Sequence, residues 1–163
     1  MDKKEPIPKA GTGSIFLDSH FNCEQQALRY LSLREHNRAE LRQKLLAKGY
    51  SEDLVKTVLD SLASSDALSE VRYVHSFVRS SNKRHPEGKS MLLARLCAKG
   101  ADRTVAKEVL DDMYDSDYTL ALVTSAYNNI VHKRGGTDLK SYEIKAKLFK
   151  LGFTQSDLNL FLE

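Results

Sequence analysis

Apolar residues recur along the chain at the three- and four-residue spacing of amphipathic helices, and a glycine interrupts these stripes at regular intervals. Between Arg38 and Leu62 the pattern predicts one helix carrying Leu41 and Leu45, a break at Lys48-Gly49-Tyr50, and a second helix. That second helix is opened by Ser51 and carries Leu54, Val55, Val58, Leu59 and Leu62. The frame is used three times. Leu41, Leu45 and Gly49 return at equal spacing as Leu92, Leu96 and Gly100, then as Ile144, Leu148 and Gly152, with the glycines 51 and 52 positions apart. A basic residue precedes the second anchor each time, as Lys44, Arg95 and Lys147, and a later apolar pair recurs as Val58/Leu59, Val109/Leu110 and Phe161/Leu162. A glycine able to take positive φ at a helix C-terminus, followed by a capping Ser, Asp or Thr, makes a tight corner between two helices. Lys48 and Lys99 in last turns, and Glu52 and Asp53 in a first turn, suit the helix dipoles.

A further helix precedes each pair, so the prediction is an all-α chain of three tandem three-helix, helix-turn-helix-like repeats. Residues 1–20 mix Lys, Pro and Gly with few apolar residues and are expected to form a mobile tail. The first unit, 21–67, opens with a helix from about Asn22 with Ala27, Leu28, Tyr30 and Leu31 inward, and Asn37 with Glu40 forms a capping box for the next. The second unit, 68–114, is capped by Ser69 and buries Val71, Val74, Phe77 and Val78. Pro86 and Gly88 place a loop from Ser80 through Lys89. Its two following helices bury Leu92, Leu93, Leu96 and Cys97, then Val105, Ala106, Val109, Leu110 and Met113. The third unit, 115–163, opens at Asp115-Ser116-Asp117, runs as helix to about Lys133, breaks at Gly135-Gly136, and closes with helices capped by Ser141 and by Thr154 with Asp157.

Composition narrows the function classes. Two cysteines, Cys23 and Cys97, lie far apart with no paired spacing, so neither a disulfide framework nor a zinc module is indicated, and a reducing compartment fits. No apolar run approaches the roughly 20 residues that cross a bilayer, and the N-terminus lacks a secretory apolar region, so a cytoplasmic protein without membrane contact is expected. His20 and Cys23 have a ligand-like spacing without a second pair. Ser80 and Lys83 match a nucleophile pattern without its companion motifs. No catalysis, metal or cofactor is expected. The net charge of +3 is modest, but it is concentrated. From Arg79 to Lys107 eight cations face two acids, Glu87 and Asp102, and from Arg29 to Lys48 six cations face Glu35 and Glu40. Basic faces on the first two units suit a polyanionic or acidic partner.

The run Leu68-Ser69-Glu70-Val71-Arg72-Tyr73, continued by Phe77-Val78-Arg79, resembles the middle repeat of the RecX family of recombinase regulators. Ala27-Leu28-Arg29-Tyr30-Leu31, followed by Arg38-Ala39-Glu40-Leu41-Arg42-Gln43-Lys44-Leu45 and Gly49-Tyr50, is similar to the family's opening helices. The resemblance extends from about Gln25 to the C-terminus. It implies an elongated, curved array that binds RecA and its DNA filament and restrains filament growth, ATP hydrolysis and strand exchange without catalysis. Family basic positions carry over to Arg79, Lys83, Arg84, Lys89, Arg95 and Lys99, and the first unit's cations Arg34, Arg38, Arg42 and Lys44 complete the candidate contact set. Single- or double-stranded DNA is a further candidate partner, and a monomer is expected. The chain departs from the family at Pro86-Glu87-Gly88-Lys89-Ser90-Met91 and at Ala101. The rival reading is a helix-turn-helix DNA-binding protein such as a transcription factor. Against it, the second helices of the corners offer Glu52, Asp53 and Asp60, or Glu108, Asp111 and Asp112, which repel phosphate. A scaffold for an acidic protein is the third reading.

Overall fold

The computed structural model describes residues 12–132 and 140–162, the side chains of 12–18 and 162 excepted. Among these residues the chain forms nine α-helices and no strand: α1 (Thr12–Leu33), α2 (Arg38–Ala47), α3 (Glu52–Ser64), α4 (Glu70–Arg84), α5 (Lys89–Ala98), α6 (Arg103–Met113), α7 (Ser116–His132), α8 (Ser141–Lys150) and α9 (Gln155–Leu162). The expected tail up to residue 11 and the expected Gly135-Gly136 break lie outside the described residues. Helix α1 begins at Thr12, ahead of the Asn22 expected, and no proline lies between Thr12 and Leu33 to interrupt it.

Three hydrophobic clusters follow the three-helix pattern. The first gathers Cys23 and Ala27 of α1, Leu41 and Leu45 of α2, and Leu54, Val55, Val58, Leu59 and Leu62 of α3. The second joins Tyr73, Val74 and Val78 to Leu92, Leu96, Ala106, Val109 and Leu110. The third joins Leu122, Val123 and Ala126 to Leu148, Phe153 and Leu158. Two residues expected inside are outside. Leu28 is 36% exposed because the inner line of α1 runs through Cys23, Ala27 and Leu31. Val71 is 46% exposed because it lies in the first turn of α4, outside the second cluster.

The corners form as the glycine pattern predicts, with φ of 91° at Gly49, 82° at Gly100 and 89° at Gly152, the region that side chains with a Cβ avoid. Cap chemistry is more varied. Asn37 Oδ1 accepts from the Glu40 amide at 2.7 Å, but the Glu40 carboxylate turns to Arg34 instead of closing a box. Ser51 stands at its N-cap without a side-chain bond, and Ser69 accepts from the Arg72 amide only at 3.5 Å. Ser141 is the first residue of α8 rather than its cap, since the chain enters the helix at Lys140, whose amide donates to Glu143 Oε2 at 3.3 Å. Thr154 and Asp157 cap each other's amides, at 2.7 and 3.2 Å.

Polar contacts join successive clusters at equivalent places. Asn37, at the start of α2, donates from Nδ2 to the Lys99 carbonyl at the second corner, 2.9 Å away. At the start of α5, the Gly88 amide donates to the Leu151 carbonyl at 2.8 Å and Ser90 Oγ donates to the Gly152 carbonyl at 2.7 Å. A Cβ on Gly88 would fall 2.1 Å from the Gly152 oxygen, which explains glycine in the departure at Pro86-Glu87-Gly88. Arg72 completes the first junction, donating to Glu35 at 2.9 Å, to Asp66 Oδ2 and the Asp66 carbonyl at 2.7 Å, and to the Ala67 carbonyl at 3.1 Å.

Candidate functional site

The expected loop from Ser80 to Lys89 is mostly helix. Nothing between Ser80 and Arg84 breaks the α-conformation, so α4 continues to Arg84 and the connection shrinks to residues 85–88. His85, held extended at φ −143° and ψ 107° ahead of Pro86, ends the helix. Arg79, Lys83 and Arg84 therefore project from a helix, where three- and four-residue spacing sets Arg72, Ser76, Arg79 and Lys83 along one side. An open groove of about 570 Å³ runs beside that side, lined by Arg72, His75, Ser76, Arg79, Ser80 and Lys83, with Glu35 at its edge. A second groove of about 240 Å³ shares Glu35, Ser76 and Ser80 and is bounded by Arg34 and Lys99. The structure thus brings four of the expected cations, Arg34, Arg79, Lys83 and Lys99, to adjoining grooves around α4.

Ion pairing divides the candidate set. Arg34 binds Glu40, with a 3.1 Å contact to Oε2, and donates to the Glu35 carbonyl at 2.9 Å. Arg38 pairs with Asp60 at 2.5 Å, Arg42 with Glu52, Lys44 with Glu40 at 3.6 Å, Lys89 with Asp111 at 2.6 Å, and Arg95 with Glu87. The hydrogen bond and charge of Lys89 hold the Asp111 carboxyl below its ordinary range. Arg79, Lys83, Arg84 and Lys99 carry no ion pair among the described residues. Exposed pairs contribute only about 0–1 kcal/mol each to stability, yet they cancel charge locally. Within the candidate set the uncompensated charge therefore belongs to α4 and the second corner, and its guanidinium and ammonium groups can meet carboxylates or phosphates.

The ligand-like spacing at His20 and Cys23 is explained by packing. Cys23 is fully buried, burial pushes its thiol pKa up, and its side chain belongs to the first core. Among the described residues no group of three or more His, Cys, Asp or Glu is placed to hold a metal ion, and no helix is long and apolar enough to cross a membrane. His36 is buried, 1% exposed. Sequence reasoning also missed the junction roles of Arg72 and Asn37. The adjacent Tyr73, buried in the second core, was a signal that Arg72 emerges at the core's rim.

Comparison with known proteins agrees with this architecture. The family model of the first three-helix domain of RecX matches residues 23–62. The regulatory protein RecX of a Mycobacterium species, strain KMS, is 32% identical over 160 residues, covering 93% of this chain and 87% of its own. The chain belongs to the RecX family. Within the family, the regulatory protein RecX of Pelodictyon phaeoclathratiforme is 38% identical over 90 residues, a match spanning 55% of this chain and 56% of that one. The crystal structure of RecX from Lactobacillus salivarius superposes with a TM-score of 0.77 at 21% identity, covering 90% of this chain and 96% of that one, and so shows the same all-α fold.

Proposed function

We propose that this RecX-family chain is a non-enzymatic regulator that binds RecA and RecA–DNA filaments and lowers their ATPase and strand-exchange activity, docking through the basic face of α4. The observation that carries the reading is that four of the candidate cations, Arg79, Lys83, Arg84 and Lys99, have no internal acid among the described residues and lie on α4 and the corner at the end of α5. A filament of protein on DNA presents phosphates and acidic side chains, and such a field speeds encounter and fixes orientation. Of the paired cations, Arg38 and Arg42 tie α2 to α3 and Lys89 ties α5 to α6, while Lys44 pairs within α2 and Arg95 with Glu87 of the connection before α5. In this reading the working units are 21–67, 68–114 and 115–163, acting as a cytoplasmic monomer with DNA contacted within the filament.

The test is DNA-dependent ATP hydrolysis by RecA with and without the protein, at moderate and raised salt. Inhibition that weakens as salt rises supports an electrostatic docking face. A sequence-specific footprint on duplex DNA with no effect on RecA hydrolysis would overturn it in favour of the helix-turn-helix reading.

A further inference from the structure

The basic residue that recurs before the second anchor of each repeat has a different environment in the third. Lys44 lies 3.6 Å from Glu40 and stands over the Tyr30 ring at 4.9 Å from its centroid. Arg95 pairs with Glu87 and stands over the Phe77 ring at 5.1 Å. In both units one cation is satisfied by an acid and an aromatic ring of its own chain. Lys147, the third member, has neither among the described residues. It opens instead onto a groove of about 310 Å³ between the end of α4 and the third core. Its lining is apolar at Pro86, Ala126, Ile130 and Leu151 and polar at His85, Asn129, Lys147 and Lys150. Among the described residues no acid and no Phe or Tyr lines it.

We propose that this groove is a docking site for an acidic peptide segment with an aromatic anchor, which brings to Lys147 from outside the acid and ring that Lys44 and Arg95 find within their own units. The walls hold one apolar side chain while the two lysines meet carboxylates beside it. The spacing supports both halves. Ala126, Asn129 and Ile130 recur at helical spacing on α7, and Lys147, Lys150 and Leu151 at the end of α8, so apolar and cationic side chains line the same groove. A cation over an aromatic face adds attraction that an aliphatic anchor lacks. Single-stranded nucleic acid fits less well, because among the described residues the groove offers its bases no Phe, Tyr or Trp face and only the His85 imidazole on which to stack. The inference does not depend on the docking face of α4.

The test is fluorescence anisotropy with a labelled synthetic peptide in which a phenylalanine is flanked by aspartates. Two control peptides carry serine for the phenylalanine or asparagines for the aspartates, and oligo(dT) serves as competitor. The full-length protein should bind the first peptide about tenfold or more tightly than either control. Lys147→Glu with Lys150→Glu should weaken it by a similar factor. Asn129→Trp, a change at an exposed wall position, should block the groove without disturbing the core, and an Arg79→Glu, Lys83→Glu, Arg84→Glu variant should bind within about twofold of wild type. Equal affinity for the control peptides, binding unchanged by both groove variants in folded protein, or full displacement by oligo(dT) would each overturn the proposal.

Discussion

Asn37 Nδ2 donates to the carbonyl oxygen of Lys99 across 2.9 Å, joining the start of α2 to the corner that ends α5. The same side chain caps α2 through Oδ1, and it is fully buried. One residue thus satisfies an orphan amide of one unit and an orphan carbonyl of the next. Asn37→Ala should lower stability by roughly 1–3 kcal/mol, combining a lost cap with an unmet buried carbonyl. Asn37→Asp keeps the cap oxygen but sets a carboxylate against the Lys99 carbonyl, so it should also destabilise. Urea unfolding of both variants checks this, and a wild-type midpoint for Asn37→Ala would contradict the junction.

The three corner glycines should respond unequally to alanine. At Gly49 a Cβ would meet nothing within 4 Å, so only the cost of positive φ applies, about 1–2 kcal/mol. At Gly100 it would lie 2.8 Å from Ala39 Cβ, and at Gly152 2.7 Å from the Met91 amide nitrogen, which cannot move without shifting α5. Thermal melts should therefore rank Gly49→Ala as mildest and Gly152→Ala as most damaging.

His36 makes the fold pH-sensitive. Its Nδ1 faces the Arg34 carbonyl at 2.9 Å and must carry the proton, so Nε2 accepts from Lys44 Nζ at 2.9 Å. Burial lowers its pKa below the ordinary 6.5, aided by the charges of Arg34 and Lys44 and opposed by the Arg34 carbonyl bond and the Glu40 carboxylate. The unfolded chain then takes up the proton first as pH falls. The stability from this depressed pKa is complete above 6.5 and is lost as pH drops through that value toward the lower folded one. Between about pH 7 and pH 5 the melting temperature should fall more in wild type than in His36→Gln. Parallel profiles would contradict the assignment.

The periodic features were legible because they are local. Leu92, Leu96 and Gly100 declare a helix and its corner within nine residues, and all three take the places expected. The extent of α4 was misread because Ser80-Ser81-Asn82-Lys83-Arg84 resembles a polar loop in composition, whereas only Pro86 and Gly88 impose a break. The division between paired and unpaired cations was not legible. Arg38 finds Asp60, and Lys89 finds Asp111, each 22 residues away along the chain and on a different helix. Lys44, Arg95 and Lys147 occupy the same repeat position, yet only the packed structure distinguishes the third.

The same division yields a paired prediction for single substitutions. Arg42→Gln removes a cation already bound to Glu52, so it should change stability by about 0.5 kcal/mol or less and leave inhibition of RecA nearly unchanged. Lys83→Gln removes an uncompensated charge, so at equal stability it should measurably weaken inhibition. Melting curves and RecA ATP hydrolysis on the two variants check both halves.

The most direct measurement of the central claim is RecA ATP hydrolysis on single-stranded DNA in the presence of an Arg79→Glu, Lys83→Glu, Arg84→Glu variant. All three side chains are exposed and free of ion pairs among the described residues, so circular dichroism and melting should match wild type within the roughly 0.5 kcal/mol usual for surface changes. The account predicts that this folded variant loses most of its inhibition. A folded variant that inhibits as strongly as wild type at moderate salt would contradict docking through α4 and move the contact surface to Arg34, Arg38 and Arg42 of the first unit.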